Sequence, residues 1–215
     1  MKELLYPFDG DYIIKKKKSI KKALLEENKT FTDKKIAILG GSTTNDVRLI
    51  LELFLLNYGI RPEFYESEYN QYWQDAMFSN QELEVFSPDI IYIHTTARNI
   101  TEYPVLSDDA SAVEEKLARQ YRHFEQMWER LGTVYRCPVI QNNFEYPGYR
   151  LMGNMEASDI HGRINFITRL NLKFYEYAQT HKNFFINDIN YVSSCYGLDR
   201  WLDDFYWHMY KYALA

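Results

Sequence analysis

Apolar and polar positions along the chain alternate between short, nearly continuous apolar runs and longer segments of helical periodicity. The run KIAILG, Lys35–Gly40, is almost wholly apolar and leads into a glycine pair, as expected of a central strand buried on both faces. After the polar stretch Ser42–Asn45, residues Val47, Ile50, Leu51, Phe54 and Leu55 recur at helical spacing, with Gly59 placed to end the helix. PEFYES (62–67), DIIYIHT (89–95), CPVIQNN (137–143) and NFFINDI (183–189) read as four further strands. Residues 109–131 form a long helix with Val113, Leu117, Tyr121, Phe124 and Trp128 on one side. Residues 157–180 form another, with Ile160, Ile164, Ile167, Leu170, Phe174 and Tyr177 inward. Strands alternating with helices imply right-handed crossovers, and so a three-layer α/β/α domain around a five-stranded parallel sheet.

Ahead of this pattern, residues 15–27 (KKKKSIKKALLEE) form a short basic helix that turns acidic at its end. That charge order opposes the helix dipole, so the helix is expected to draw its stability from docking. Its lysines suit a solvated face, with contact to an acidic partner or a phosphate as the alternative. The chain therefore divides into an N-terminal appendage, residues 1–34, and one domain, residues 35–215.

Composition narrows the function classes. The 25 Lys and Arg against 30 Asp and Glu give a net charge of −5, which argues against nucleic-acid binding by bulk electrostatics. The hydrophobic fraction of 46% is ample for a core. No run approaches the roughly 20 apolar residues of a spanning helix, and the N-terminus lacks a signal-peptide pattern, so the cytoplasm is the expected compartment. Two cysteines cannot make a disulfide scaffold, and Cys195 reads as a packing residue. The five histidines show no ligand spacing, so neither a metal nor a cofactor is expected.

In open parallel sheets ligands bind beyond the carboxyl ends of the strands. Those ends carry Gly40–Thr44, Glu66–Glu68, His94–Asn99, Gln141–Asn143 and Asn187–Asp188, all polar. The first is the most telling. Two glycines let the backbone turn sharply, and Ser42 then stands at a helix start with its hydroxyl and amide on one residue. Two plainer readings compete: Ser42 or Thr43 caps the helix, or the turn cradles a phosphate. No lysine follows in a Walker register, and Gly-Gly is not a dinucleotide fingerprint. Glu66 and Glu68 read as solvated turn carboxylates, with an acid–base pair as the alternative.

The strings IAILGGSTTNDVRLILELFLLNYGIRPEFYESEYNQYWQDAM, PDIIYIHTTARNI and VIQNNFEYPGYRLMGN resemble the N-terminal region of FkbH-like proteins over about residues 35–212. In that family an SGNH-hydrolase-like domain, itself flavodoxin-like, precedes a HAD-type phosphatase domain associated with loading glyceryl units onto acyl-carrier proteins. No DxDx[TV] motif of a phosphatase occurs in this chain. The resemblance implies Ser42 as nucleophile, Gly replacing the Asp of a GDS-type turn, with Asn99 as the oxyanion residue. The glycine usual after the second strand is missing, and Asn70 is the nearest small polar residue. The late Asp–His pair falls on Asp204 and His208 at spacing four instead of three. The implied chemistry is acyl transfer: His208 as base, Asp204 orienting it, and the amides of Gly41 and Ser42 with Asn99 holding the oxyanion. Arg98 would take a substrate carboxylate or phosphate, with Thr43, Asn142 and Asn143 lining the mouth. His208 equally suits a satisfied position within its aromatic stretch. The expected function is SGNH-type ester or thioester hydrolysis or acyl transfer on a small acyl substrate, with an acyl-carrier protein or a HAD-type phosphatase domain as partner. The alternatives are an inactive docking module for those partners and a carbohydrate O-acetyl esterase.

Overall fold

A computed structural model describes residues 1–27 and 30–213. Residues 28–29 of the expected appendage and 214–215 of the expected domain lie outside the described residues. Five strands, β1 (Thr32–Gly40), β2 (Ile60–Glu66), β3 (Ile90–His94), β4 (Val139–Asn142) and β5 (Phe184–Asn187), form one parallel sheet in the order β2-β1-β3-β4-β5. This is the three-layer flavodoxin-like arrangement. The order reverses between β1 and β3, and the crevice at such a switch point, beyond the carboxyl ends, is where this architecture places ligands.

One face of the sheet, through Ala37, Leu39, Ile91, Ile93 and Val139, packs on α5 (Ala110–Tyr135) and α6 (Arg163–Thr180). Phe124, Trp128, Phe144 and Phe174 interlock there with ring centroids 4.7–6.2 Å apart. Aromatic pairs of this geometry add to the stability given by their burial. Asp109 caps α5 by accepting from the Ala112 amide.

Three elements differ from the sequence reading. The predicted helix over 157–180 begins only at Arg163, because Gly162 lies against the Glu156 backbone and the Glu156 carboxylate collects the amides of Met152 and Arg163. Ile160, expected inward, is consequently exposed. Two short helices, α3 (Tyr72–Met77) and α4 (Gln81–Phe86), lie between β2 and β3, and Asn80 caps the second. Cys195, expected to pack, is exposed on α7 (Ile189–Tyr196).

The basic helix is α1 (Gly10–Glu27), and it is docked on α2 (Asn45–Asn57). Ile13, Ile20 and Leu24 meet Leu53 and Leu56, while Lys17 and Lys21 pair with Asp46 and Glu52. With α1 covering it, α2 buries Leu53 and Leu56 most deeply, and the five apolar positions read at helical spacing are only half-buried.

Candidate active site at the switch point of the sheet

The sheet pairs Gly40 with His94, and the Gly41 amide donates to the His94 carbonyl at 2.9 Å. Ser42 is the first residue past this ladder, 3% exposed. Its Oγ has no hydrogen-bond partner, and its amide has no acceptor among the described residues. The helix cap is Thr44, not Ser42 or Thr43, and the Thr44 hydroxyl bonds Glu66 instead of the helix amides. Glu66 also pairs with Arg48, and Glu68 is exposed. The serine is thus spared the capping duty that was its plain alternative.

Asn99 holds this turn. It follows β3 in a short 3-10 turn, where Thr96 and Asn99 form a reciprocal capping box. Its Oδ1 accepts from the Thr96 amide at 3.0 Å, and its Nδ2 donates to the Gly41 carbonyl at 3.0 Å. The remaining Nδ2 hydrogen faces Asn70 Oδ1 at 3.4 Å, a long and replaceable bond. A Cβ on Gly41 would stand 2.4 Å from Asn99 Nδ2, so only glycine admits the asparagine here. Asn70 has φ +58°, a left-handed conformation that asparagine tolerates better than most residues. That is the conformational freedom a glycine would supply. The Gly41 amide, expected as an oxyanion donor, is already used in the ladder. Gly41 contributes room for Asn99, and the free amide is that of Ser42.

The C-terminal residues close over the turn. The Thr43 amide and hydroxyl donate to the carbonyls of Lys211 and Tyr210. They follow α8 (Leu198–Trp201) and belong to the end of α9 (Asp204–Tyr210), where His208 is exposed. Asp204 and His208 do lie on one helix, yet Asp204 bonds Arg98 at 2.9 Å, and no hydrogen bond joins His208 to Asp204 or Ser42 among the described residues. The Arg98 guanidinium stacks on Trp207 at 4.5 Å.

Beside Arg98 opens a cavity of about 450 Å³ that also takes in Glu145, Arg163 and Tyr103. Glu145 is 1% exposed, and its carboxylate accepts from the Ala97 amide at 3.2 Å. Burial pushes its pKa up to about 7. Asn142 and Asn143 line neither this cavity nor the Ser42 turn. Asn142 is held by Thr95, Tyr92 and Asn187, and Asn143 by Tyr175, Asp188 and Asn190, so their polar groups are spent on the scaffold.

Comparison with known proteins decides the family. The sequence matches the FkbH N-terminal domain over residues 35–215. The chain belongs to the FkbH N-terminal domain family. A similar solved structure is the N-terminal part of the protein BF1531 from Bacteroides fragilis, which contains a phosphatase domain and was complexed with Mg. It is 20% identical with a TM-score of 0.77, and the match covers 93% of this chain and 52% of that one. This FkbH N-terminal domain chain therefore shares its fold and spans about half its length. A proposed acylhydrolase, BF3764 from the same organism, is 16% identical over 84% of this chain and 77% of its own, with a TM-score of 0.45. No curated protein matches the chain. Helix α1 lies outside the FkbH-matched residues. Sequence reasoning missed Glu145, and it placed His94 at a strand end without its burial, since the burial that makes each unusual is set by tertiary contacts. Asn70 did carry a signal, standing where a glycine was expected.

Proposed function

We propose that this FkbH N-terminal domain is an SGNH-type acyl-handling domain, hydrolysing or transferring a small ester- or thioester-linked acyl group through Ser42. The observation that carries the reading is the state of Ser42: a buried hydroxyl and a backbone amide, both without partners among the described residues, beside an asparagine amide held by a replaceable bond. In the proposed step Ser42 Oγ attacks the acyl carbonyl and His208, approaching on α9, takes its proton. The oxyanion is received by the Ser42 amide and Asn99 Nδ2. Collapse of the tetrahedral intermediate returns the proton to the leaving alcohol or thiol, and water or an acceptor releases the acyl group. Arg98, with Arg163 across the same cavity, binds a carboxylate or phosphate of the substrate, and Asp204 is the group such an anion displaces. An acyl-carrier thioester is the substrate form this reading favours.

The experiment is hydrolysis of p-nitrophenyl acetate by the wild type and three variants. Ser42→Ala should abolish turnover, and Asn99→Ala should lower kcat on the order of 100-fold, the usual cost of one oxyanion donor. His208→Ala should lower kcat at least about 100-fold, the usual cost of losing a general base. Undiminished turnover by Ser42→Ala would contradict the reading. The pairing of Asp204 with Arg98 in place of His208 favours a second reading, a docking module without catalysis. It requires no turnover by the wild type and binding of an acyl-carrier protein unchanged by Ser42→Ala.

A further inference from the structure

Beside Thr43 lies a second cavity, of about 520 Å³, between α1, α2 and the C-terminal residues. We infer that it receives an aliphatic acyl chain bearing a hydrogen-bonding oxygen. The inference takes its ligand class from the acyl reading above and its place from the cavity itself. Ile14 of α1, Val47 and Ile50 of α2, and the rings of Trp201 and Tyr206 give it apolar walls. The volume lies within the range of small-ligand sites, which are mostly apolar with a few placed polar groups. Thr43 forms part of the wall, so the cavity adjoins the residue that carries the proposed nucleophile. A charged pair, Lys17 and Asp46, also borders it, 3.4 Å apart and mutually neutralising.

His94 supplies the independent sign of a ligand. It lines the cavity, is 3% exposed, and its Nδ1 has no hydrogen-bond partner among the described residues. A buried polar atom left unpaired is costly, and a ligand oxygen would satisfy it. Burial lowers the pKa of this imidazole to about 4, so it presents a neutral donor or acceptor to the chain. A hydroxyl serves either tautomer. Because Ile14 and Lys17 belong to α1, a segment outside the family-matched residues completes this pocket.

The test is calorimetric titration of the full chain, as wild type and as Ser42→Ala, with sodium octanoate and with 3-, 5- and 7-hydroxyoctanoate. Both proteins should bind each chain at one site, with one hydroxylated isomer about five-fold tighter than octanoate, the gain from one hydrogen bond. His94→Phe should erase that preference. Ile14→Arg, at a position 56% exposed and so harmless to folding, should weaken all four by about ten-fold through a charge against the chain. Amide NMR shifts on saturation should centre on Val47 and Ile50. No saturable binding, or binding unmoved by Ile14→Arg with shifts elsewhere, would overturn the inference. Equal affinity for all four ligands would overturn its hydrogen-bonding part. Chain binding by Ser42→Ala separates the pocket from catalysis: an inactive wild type that still binds octanoate defeats the acyl-enzyme reading and leaves the pocket standing.

Discussion

Gly41 and Asn99 form a lock in which each residue explains the other. Asn99 reaches the Gly41 carbonyl only because no Cβ intervenes, the ideal position for one being 2.4–2.5 Å from the amide atoms. Gly41→Ala should therefore cost about 2 kcal/mol in urea unfolding, the usual cost of overpacking, and Asn99→Gly in the same chain should recover most of it. Independent, additive losses would show that the two do not share the turn. Glu145 makes a second prediction, on pH. Its folded pKa of about 7 is raised above the ordinary value, so the folded state holds a proton that the unfolded state gives up. Its contribution is fully present below about pH 4.3 and is lost as pH rises through 7, up to about 3 kcal/mol. His94 and His123, both lowered to about 4 by burial, act oppositely: their contribution is present above about pH 6.5 and lost as pH falls through 4. The difference between wild type and Glu145→Gln, followed by chemical denaturation from pH 4 to 8, isolates the carboxyl; a flat difference would contradict its burial as an acid.

At the scale of elements, α1 and α9 are held to the rest of the molecule by different physics. Helix α1 is held by apolar burial, since the surface pairs of Lys17 and Lys21 contribute little. Leu24, 1% exposed, should cost about 2–4 kcal/mol when replaced by Ala, whereas Lys21→Ala should leave the melting temperature nearly unchanged. Helix α9 has no buried residue and is tethered by its Thr43 contacts and by Arg98 against Asp204 and Trp207. Arg98→Ala should speed amide exchange in α9 without altering β1, and weaken anion binding more than it lowers the melting temperature. An equal loss of thermal stability would make Arg98 a structural residue.

What was legible follows from where each signal resides. Parallel strands buried on both faces are continuous apolar runs, so KIAILG and DIIYIHT announced themselves. So did the stripes of α5 and α6, although the onset of α6 was hidden because Ile160 falls in helical register by coincidence of spacing. The short α3 and α4 bury too few residues to show a period and depend on local caps such as Asn80. The rule for parallel sheets puts Ser42, Arg98 and Asn99 at the carboxyl edge of the sheet, and Asn99 bonds the Gly41 carbonyl beside Ser42 at the β1–β3 switch point. Partner choice was not legible: spacing put Asp204 and His208 on one helix, while the tertiary fold gave Asp204 to Arg98.

For the whole molecule, the proposed acyl chemistry rests on a single nucleophile, Ser42, at the reversal of the sheet. Labelling the intact chain with a fluorophosphonate probe, followed by mass spectrometry of the peptides, tests it most directly. A single adduct on Ser42, absent from Ser42→Ala, is the predicted result. An unlabelled wild type, or an adduct on any other residue that persists in Ser42→Ala, would contradict the account.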